Sequence, residues 1–396
     1  MTEWQTKTVG EIADTQLGKM LNKGKQSGKY ARPYLRTDNV HWGRFDLSEI
    51  KEMDILPEER DKYLATKGDL LMCEGGASGR TAIWNEDYDI SFQNHVHRIR
   101  PKNPQEISPK YLLYYFEWFI KNGYASELIK GVTISSLSQS GLRSIEVAYP
   151  PIDEQHQIVE LLEDHLSRLD AALTDVKQAK LKAAKFRRSL LHSIFEGQVE
   201  EFGKKNEWDD FMLSDVIQNL DNKRIPVNSK ERSARQGSVP YYGATGQVGT
   251  IDVPIFNEDL LLLGEDGVQF FDPSKPKAYL ISGPAWVNNH VHVLKAKDSI
   301  ANQKLLMHYL NQFNYIGYAN GTTRLKLTQG AMNKIPISLP NRRIQEKMLE
   351  YIDRQLSIVD ASVIASNYAV AQSVSLRRAL FQSAFTGRLT KEVEVV

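Results

Sequence analysis

The sequence predicts an α/β chain, α+β in the ordering of its segments, made of two related globular halves that are each followed by one long helix. Three observations predict it. The chain repeats itself at an offset of about 190 residues, two stretches carry sustained heptads, and the intervening segments alternate short apolar runs with glycine-containing turns. Size and composition agree: 396 residues, 41% hydrophobic and 25% charged, suit several compact units rather than a largely disordered chain.

The repeat sets the organisation. IVELLEDHLSRLDAAL from Ile158 aligns with MLEYIDRQLSIVDASV from Met348, and at the same offset Arg187 and Arg188 meet Arg377 and Arg378, while Gly197 meets Gly387. Each glycine is placed to end its helix in the left-handed conformation. Upstream, GVTISSLSQSGLRSI from Gly131 aligns with GTTRLKLTQGAMNKI from Gly321, GDLLMCEGG from Gly68 resembles EDLLLLGEDG from Glu258, and NHVHRI from Asn94 resembles NHVHVL from Asn289. EWQTKTVGEI from Glu3 likewise resembles EWDDFMLSDV from Glu207. The resulting division is a globular half over 1–150, a helix over 151–200, a second half over 201–340 and a second helix over 341–396.

Both helices read as coiled coil. Apolar residues at Ile158, Leu162, Leu166, Leu169, Leu173, Val176, Ala183, Leu190 and Ile194 step by threes and fours, interrupted by Lys180 and Arg187, and the second helix repeats the register from Met348 to Ala384. A helix of roughly 44 residues is about 65 Å long. The repeat favours an antiparallel pair packed through Leu162, Leu169 and Leu173 against Ile352, Val359 and Val363. A purely structural hairpin or a dimerisation coiled coil is the plainer alternative.

The globular halves carry candidate nucleic-acid contacts. In the first, Arg32, Tyr34, Arg36, Asn39 and Trp42 crowd one segment, followed by the loop with Gly75, Gly76, Ser78 and Arg80. Arginine pairs bidentately with guanine, asparagine with adenine, and glycine lets backbone approach phosphate. The second half offers Lys223, Arg224, Tyr241, Tyr242, Glu265 and Asp266. Either carboxylate can accept from a cytosine amino group or cap a turn. Thr133 and Ser135, and at the equivalent loop Thr322, Thr323, Arg324 and Lys326, combine hydroxyls and cations that suit phosphate but also suit a strand edge.

Other features exclude classes. Cys73 is the single cysteine, so no intramolecular disulfide forms, and neither a signal-peptide pattern nor an apolar run of about 18 residues occurs; a cytoplasmic location and no membrane contact are expected. No GxxxxGK[ST] loop is present, and the Tyr149-Pro150-Pro151 run lacks the polar residue and glycine-rich loop of an amino-methyltransferase. The pairs His95/His97 and His290/His292 have strand spacing, but no carboxylate or cysteine cluster beside them has metal-ligand spacing, and a hydrogen-bonded strand histidine is the simpler reading. The formal net charge of +1 is low for a protein that holds DNA alone, which argues against a stand-alone sequence-specific DNA-binding protein.

Taken in order, PPIDEQHQIVELL, RRSLLHSIFEGQV, RRALFQSAFTGRL, GDLLMCEGGASGRTAIW, VPYYGATGQVG, GEDGVQ and NNHVHVL resemble the specificity subunit of type I restriction-modification enzymes over essentially the whole chain. The resemblance implies two target recognition domains, each reading one half of a bipartite, asymmetric site in double-stranded DNA, with the helices setting the gap. It also implies two modification subunits that bind S-adenosylmethionine and restriction subunits that use ATP and Mg; catalytic, cofactor and metal residues are then expected on those partners and none here. A coiled-coil scaffold protein is the remaining alternative. The second helix begins NRRIQEKMLEY where the first has IDEQHQIVELL, so the two docking surfaces for modification subunits need not be equal.

Overall fold

The structure is a computed structural model that describes residues 4–390, apart from 23, 25, 76, 77, 131–135, 322, 323 and the side chain of Lys130. It divides into two compact units, Met1–Thr174 with Ala369–Val396, and Asp175–Tyr368. The sequence treats each long helix as one segment, whereas each compact unit takes a globular half and a portion of both helices.

In the first unit, Gln5–Thr8 pairs antiparallel with Glu146–Tyr149. An antiparallel sheet follows in the order Ala13–Leu17, Val96–Pro101, Leu70–Cys73, Thr81–Ile83. A second sheet has the order Lys51–Asp54, Ala31–Leu35, Ile90–Phe92, Leu64–Ala65, with Ala31–Leu35 and Ile90–Phe92 parallel. Alternation explains the run LLMC: Leu70 and Met72 face a core shared with helix Pro109–Lys121, Leu162 and Phe385, while Leu71 and Cys73 face a core with Leu35, Trp84 and Phe92. A strand covered on both faces reads as continuously apolar.

The second unit repeats this plan. Asp209–Met212 pairs with Pro336–Leu339, and the first sheet runs Ile217–Asn219, Val291–Ala296, Leu260–Gly264, Ala278–Ile281. The second runs Gly246–Ile251, Val239–Gly243, Pro284–Val287, Phe256–Asn257, again with one parallel pair. Leu261 and Leu263 enter one core and Leu260 and Leu262 the other. Sheet order and strand direction agree between halves whose aligned side chains largely differ.

The long helices span Ile152–Phe195 and Arg342–Phe385, 44 residues each. Gly197 and Gly387 follow their ends with φ of 62° and 69°, the left-handed stop expected from sequence. Within the first unit Asp170 meets Arg377 at 3.3 Å, and within the second Arg187 meets Asp360. These are the same pair under the repeat, and each requires antiparallel helix segments. Leu162 and Ile352 are fully buried and Val359 nearly so, but Leu162 and Ile352 belong to the globular cores; Leu169, Leu173 and Val363 are only half-buried. Lys180 and Arg187, which interrupt the apolar pattern, lie on the seam itself, where Lys180 donates to Asn367 at 2.6 Å.

Each helix is tied to its half by one glutamine. Gln155 is fully buried, accepts from the Ser108 amide at 2.9 Å and donates to the carbonyls of Glu106 and Pro150. Gln345, 190 positions on, accepts from the Asn302 amide at 2.9 Å and donates to the carbonyls of Ile300 and Pro340. A buried amide is tolerated only when such bonds are made. Among the described residues, no helix is long and apolar enough to cross a membrane.

Candidate nucleic-acid interface

In the first unit the candidate residues gather where strand Leu70–Cys73 ends and Val96–Pro101 begins. The Glu74 amide donates to the His95 carbonyl and the Leu137 amide to the Glu74 carbonyl, both at 2.8 Å. Gly79 donates to the Cys73 carbonyl and Cys73 to that of Arg80, so the loop turns back beside the sheet. The Arg80 guanidinium donates to the Thr37 carbonyl at 3.0 Å, and the Gly43 amide to that of Thr81 at 2.9 Å, which joins the hairpin Val40–Phe45 to the same end. Trp42 sits at the tip of that hairpin, half-buried, with Lys121 5.1 Å from its ring. Burial pushes the Cys73 thiol up to about 11, as expected of an unreactive core cysteine.

The second unit uses the same sheet end with different chemistry. Glu265 donates its amide to the His290 carbonyl at 2.9 Å and accepts from the Leu327 amide at 2.7 Å, as Glu74 does in the first unit. Around this frame lies a charge network. Arg224 reaches Glu265 at 2.8 Å and the Val291 carbonyl at 2.7 Å, Lys326 reaches the other Glu265 oxygen at 3.0 Å, and Arg324 pairs with Asp266 at 2.5 Å. Burial works to raise the Glu265 carboxyl, but the hydrogen bonds from Arg224 and Lys326 outweigh it and hold it below the usual range.

Several expectations need correction. Tyr34 is 2% exposed and packs with Met53 and Ile55; Asn39 is buried and spends its amide on the Arg36 nitrogen and the carbonyls of Asp46 and Glu49; Tyr241 is buried with Ile251 and Trp286. Gly75 is buried in a bridge to Ser136. None of these four side chains or positions is presented for DNA contact, because the alternation of their strands or turns sends them inward. The oxygens of Glu265 and Asp266 are already bonded within the protein, Glu265 to Arg224 and Lys326 and Asp266 to Arg324 and His290. Arg224 likewise points into the network, its side chain 15% exposed.

The residues presented outward are the cations those acids hold: the side chains of Arg324 and Lys326 are 60% and 52% exposed. A cation held by a neighbouring carboxylate and still open to solvent suits phosphate or a guanine edge. Lys223 is exposed on the turn Asp221–Lys223, and Tyr242 is half-buried against Tyr279. Arg32, Ser78 and Arg80 are partly exposed, and Arg36 is partly exposed while also contacting Asp38 and the Glu49 carbonyl. Gly76, Thr133, Ser135, Thr322 and Thr323 lie outside the described residues.

The His-x-His pairs resolve into two roles. His97 and His292 turn inward, each Nε2 bonded to the carbonyl of the equivalent leucine, Leu137 at 3.0 Å and Leu327 at 2.8 Å. His95 and His290 lie in the turn just before their strands, with Nδ1 3.0 Å from Glu74 and from Asp266. No group of three or more potential metal ligands occurs among the described residues. Sequence reasoning missed Gln155, Gln345 and Asp221. The glutamines were findable, since they coincide at the repeat offset, whereas Asp221 has Leu17 as its counterpart and left no repeated signal.

Comparison with known proteins places this architecture. Two stretches, 1–183 and 205–361, match the family model described as the type I restriction modification DNA specificity domain. A protein of Haemophilus influenzae named as a type I restriction enzyme specificity subunit is 31% identical over 169 residues, and the EcoBI specificity subunit of Escherichia coli is 28% identical over 169 residues. Those alignments cover 42% of this chain and only 40% and 35% of the relatives' own lengths. The fold is similar to a chain solved in work on complex assembly and conformational transition of the type I R-M system, with TM-score 0.78, 16% identity and coverage of 98% and 99%. It is also similar to the HsdS subunit of Thermoanaerobacter tengcongensis, with TM-score 0.62, 16% identity and 97% of each chain covered. With both halves matched by one model and one sheet plan, the chain belongs to the type I restriction modification DNA specificity domain family.

Proposed function

We propose that this chain is the DNA-reading subunit of a type I restriction-modification assembly, each half reading one part of a bipartite, asymmetric site. The observation that carries this is the duplicated sheet end: one backbone frame, repeated, with different side chains on it. Repetition supplies two readers, and divergence on a constant frame supplies two specificities. The continuous helices set the gap between half-sites and offer docking surfaces to two modification subunits, with restriction subunits joining them in the cytoplasm. S-adenosylmethionine, ATP and Mg belong to those partners in this reading, and the chain contributes recognition rather than chemistry. Joining two weak readers makes the second engagement intramolecular, and partner subunits that close on the DNA compensate for a net charge of only +1.

The test is a domain exchange. Residues 1–150 are replaced by the corresponding half of another family member, the chain is produced with its modification subunits, and methylated adenines are mapped. One half-site changes while the other half and the gap persist. If both half-sites change, or if the chain forms no complex with a methyltransferase, the reading fails.

A further inference from the structure

The two outward histidines have no role in the frame just described. Their inward neighbours, His97 and His292, hold equivalent leucine carbonyls, which accounts for those two by ancestry and packing alone. The side chains of His95 and His290 are instead 62% and 39% exposed, and each is held at Nδ1 by a carboxylate 3.0 Å away.

The carboxylates come from different places. Backbone bonds identify Glu74 with Glu265, and the bridges Gly75 to Ser136 and Asp266 to Lys326 identify Gly75 with Asp266. The acid that holds His290 therefore has no counterpart in the first unit, while the counterpart of Glu74 is committed to Arg224 and Lys326. Common descent explains the histidine but not the acid. The same pairing has been rebuilt from neighbouring positions, and what is kept is an exposed imidazole pinned at one nitrogen. His95 is also the single non-glycine residue with positive φ, 76°, among those described, a conformation that an L residue rarely adopts and that occurs preferentially at functional sites.

A carboxylate only accepts, so Nδ1 carries the proton in both pairs and Nε2 remains without a protein partner among the described residues. One directional group in a fixed orientation suits a base edge, whereas the charged and solvent-open Arg324 and Lys326 suit phosphate. We infer that His95 and His290 are base-reading residues, one in each half, with Glu74 and Asp266 as positioning residues. This rests on the DNA-reading role proposed above.

The full chain, produced with its modification subunits, is compared with His95→Gly, His290→Gln and Glu74→Gln by mapping methylated sites and by DNA binding across a salt series. Glycine accepts the positive φ, so His95→Gly keeps or raises the melting temperature. It relaxes one base pair of one half-site by about tenfold, and His290→Gln relaxes one base pair in the other. Glu74→Gln blurs the same position as His95→Gly, less strongly. Native site preference in both well-folded histidine variants overturns the inference, as does uniform weakening with a shallower salt dependence, which marks phosphate contact. Failure of the unaltered complex to methylate any bipartite site overturns the underlying reading instead.

Discussion

His97 and His292 occupy equivalent places on the corresponding sheets of the two units, yet one sits in an apolar setting and the other in an ionic one. In the first unit the residue opposite His97 is Leu17, and the buried Nδ1 has no hydrogen-bond partner among the described residues. Burial lowers the pKa of that imidazole, which keeps it neutral. In the second unit the equivalent of Leu17 is Asp221, whose carboxylate lies 2.6 Å from His292 Nδ1 and also accepts the Val293 amide at 2.7 Å. Both ring nitrogens of His292 then face oxygens, the Asp221 carboxylate and the Leu327 carbonyl. The comparison teaches that the backbone frame does not depend on the charge state of its floor. With aspartate where the first unit has leucine, the second unit gains an anchor for Arg224, which in turn pairs with Glu265, whose other oxygen holds the exposed Lys326.

Breaking the ionic floor has the largest expected effect. Asp221→Ala strands His292 Nδ1 and the Val293 amide and removes one of the two carboxylates beside Arg224, and loss of one partner from a buried charge pair costs about 3 to 5 kcal/mol. Denaturant unfolding measures it. The reciprocal Leu17→Asp gives His97 Nδ1 a partner at the price of an apolar contact and changes stability by less than about 1 kcal/mol. A loss in Leu17→Asp as large as that in Asp221→Ala would show that strand position alone, rather than charge, separates the halves.

Next come the glutamines, where the halves agree. Gln155→Ala and Gln345→Ala each strand a buried amide and two carbonyls, for about 2 to 3 kcal/mol apiece. Matching bonds require matching losses by the same unfolding measurement, and a difference above about 1 kcal/mol contradicts that equivalence.

The smallest effect is in pH dependence. For Asp221, burial pushes upward, but the His292 hydrogen bond and neighbouring charge hold the carboxyl below its usual range. His97 is also lowered, by burial. A depressed folded-state value means that the unfolded chain binds more protons, so each contribution is full above the unfolded value and fades on acidification. Stability owed to His97 fades from about pH 6.5 downward and that owed to Asp221 only below about pH 4. His97→Gln flattens the first limb of a stability-versus-pH curve and Asp221→Asn the second; the reverse assignment refutes the contrast.

Much of the fold was legible because repetition is a one-dimensional signal. The 190-residue offset located both helices, their glycine stops and the recurring strands, and the two-sided burial of LLLL follows from its unbroken apolar run. The interface was legible only as a neighbourhood. Tyr34 and Tyr241 look like contact residues in a string of arginines and tyrosines, but strand alternation turns them inward, and no local pattern distinguishes that face from the other. Lys180 and Arg187 look like breaks in the coiled coil, yet they lie on its seam because partners across the helix pair accept their hydrogen bonds, Asn367 from Lys180 and Asp360 from Arg187.

By itself the sequence determined the two-part architecture, the length and register of the helices and the family, all of which are carried by periodicity along the chain. Only the tertiary structure decided which ionisable groups meet. Asp221 and His292 stand 71 positions apart, and Glu74 and Asp266 find equivalent histidines from non-equivalent places. Charge pairing depends on distance in space, and space is set by how the sheets close rather than by the order of residues.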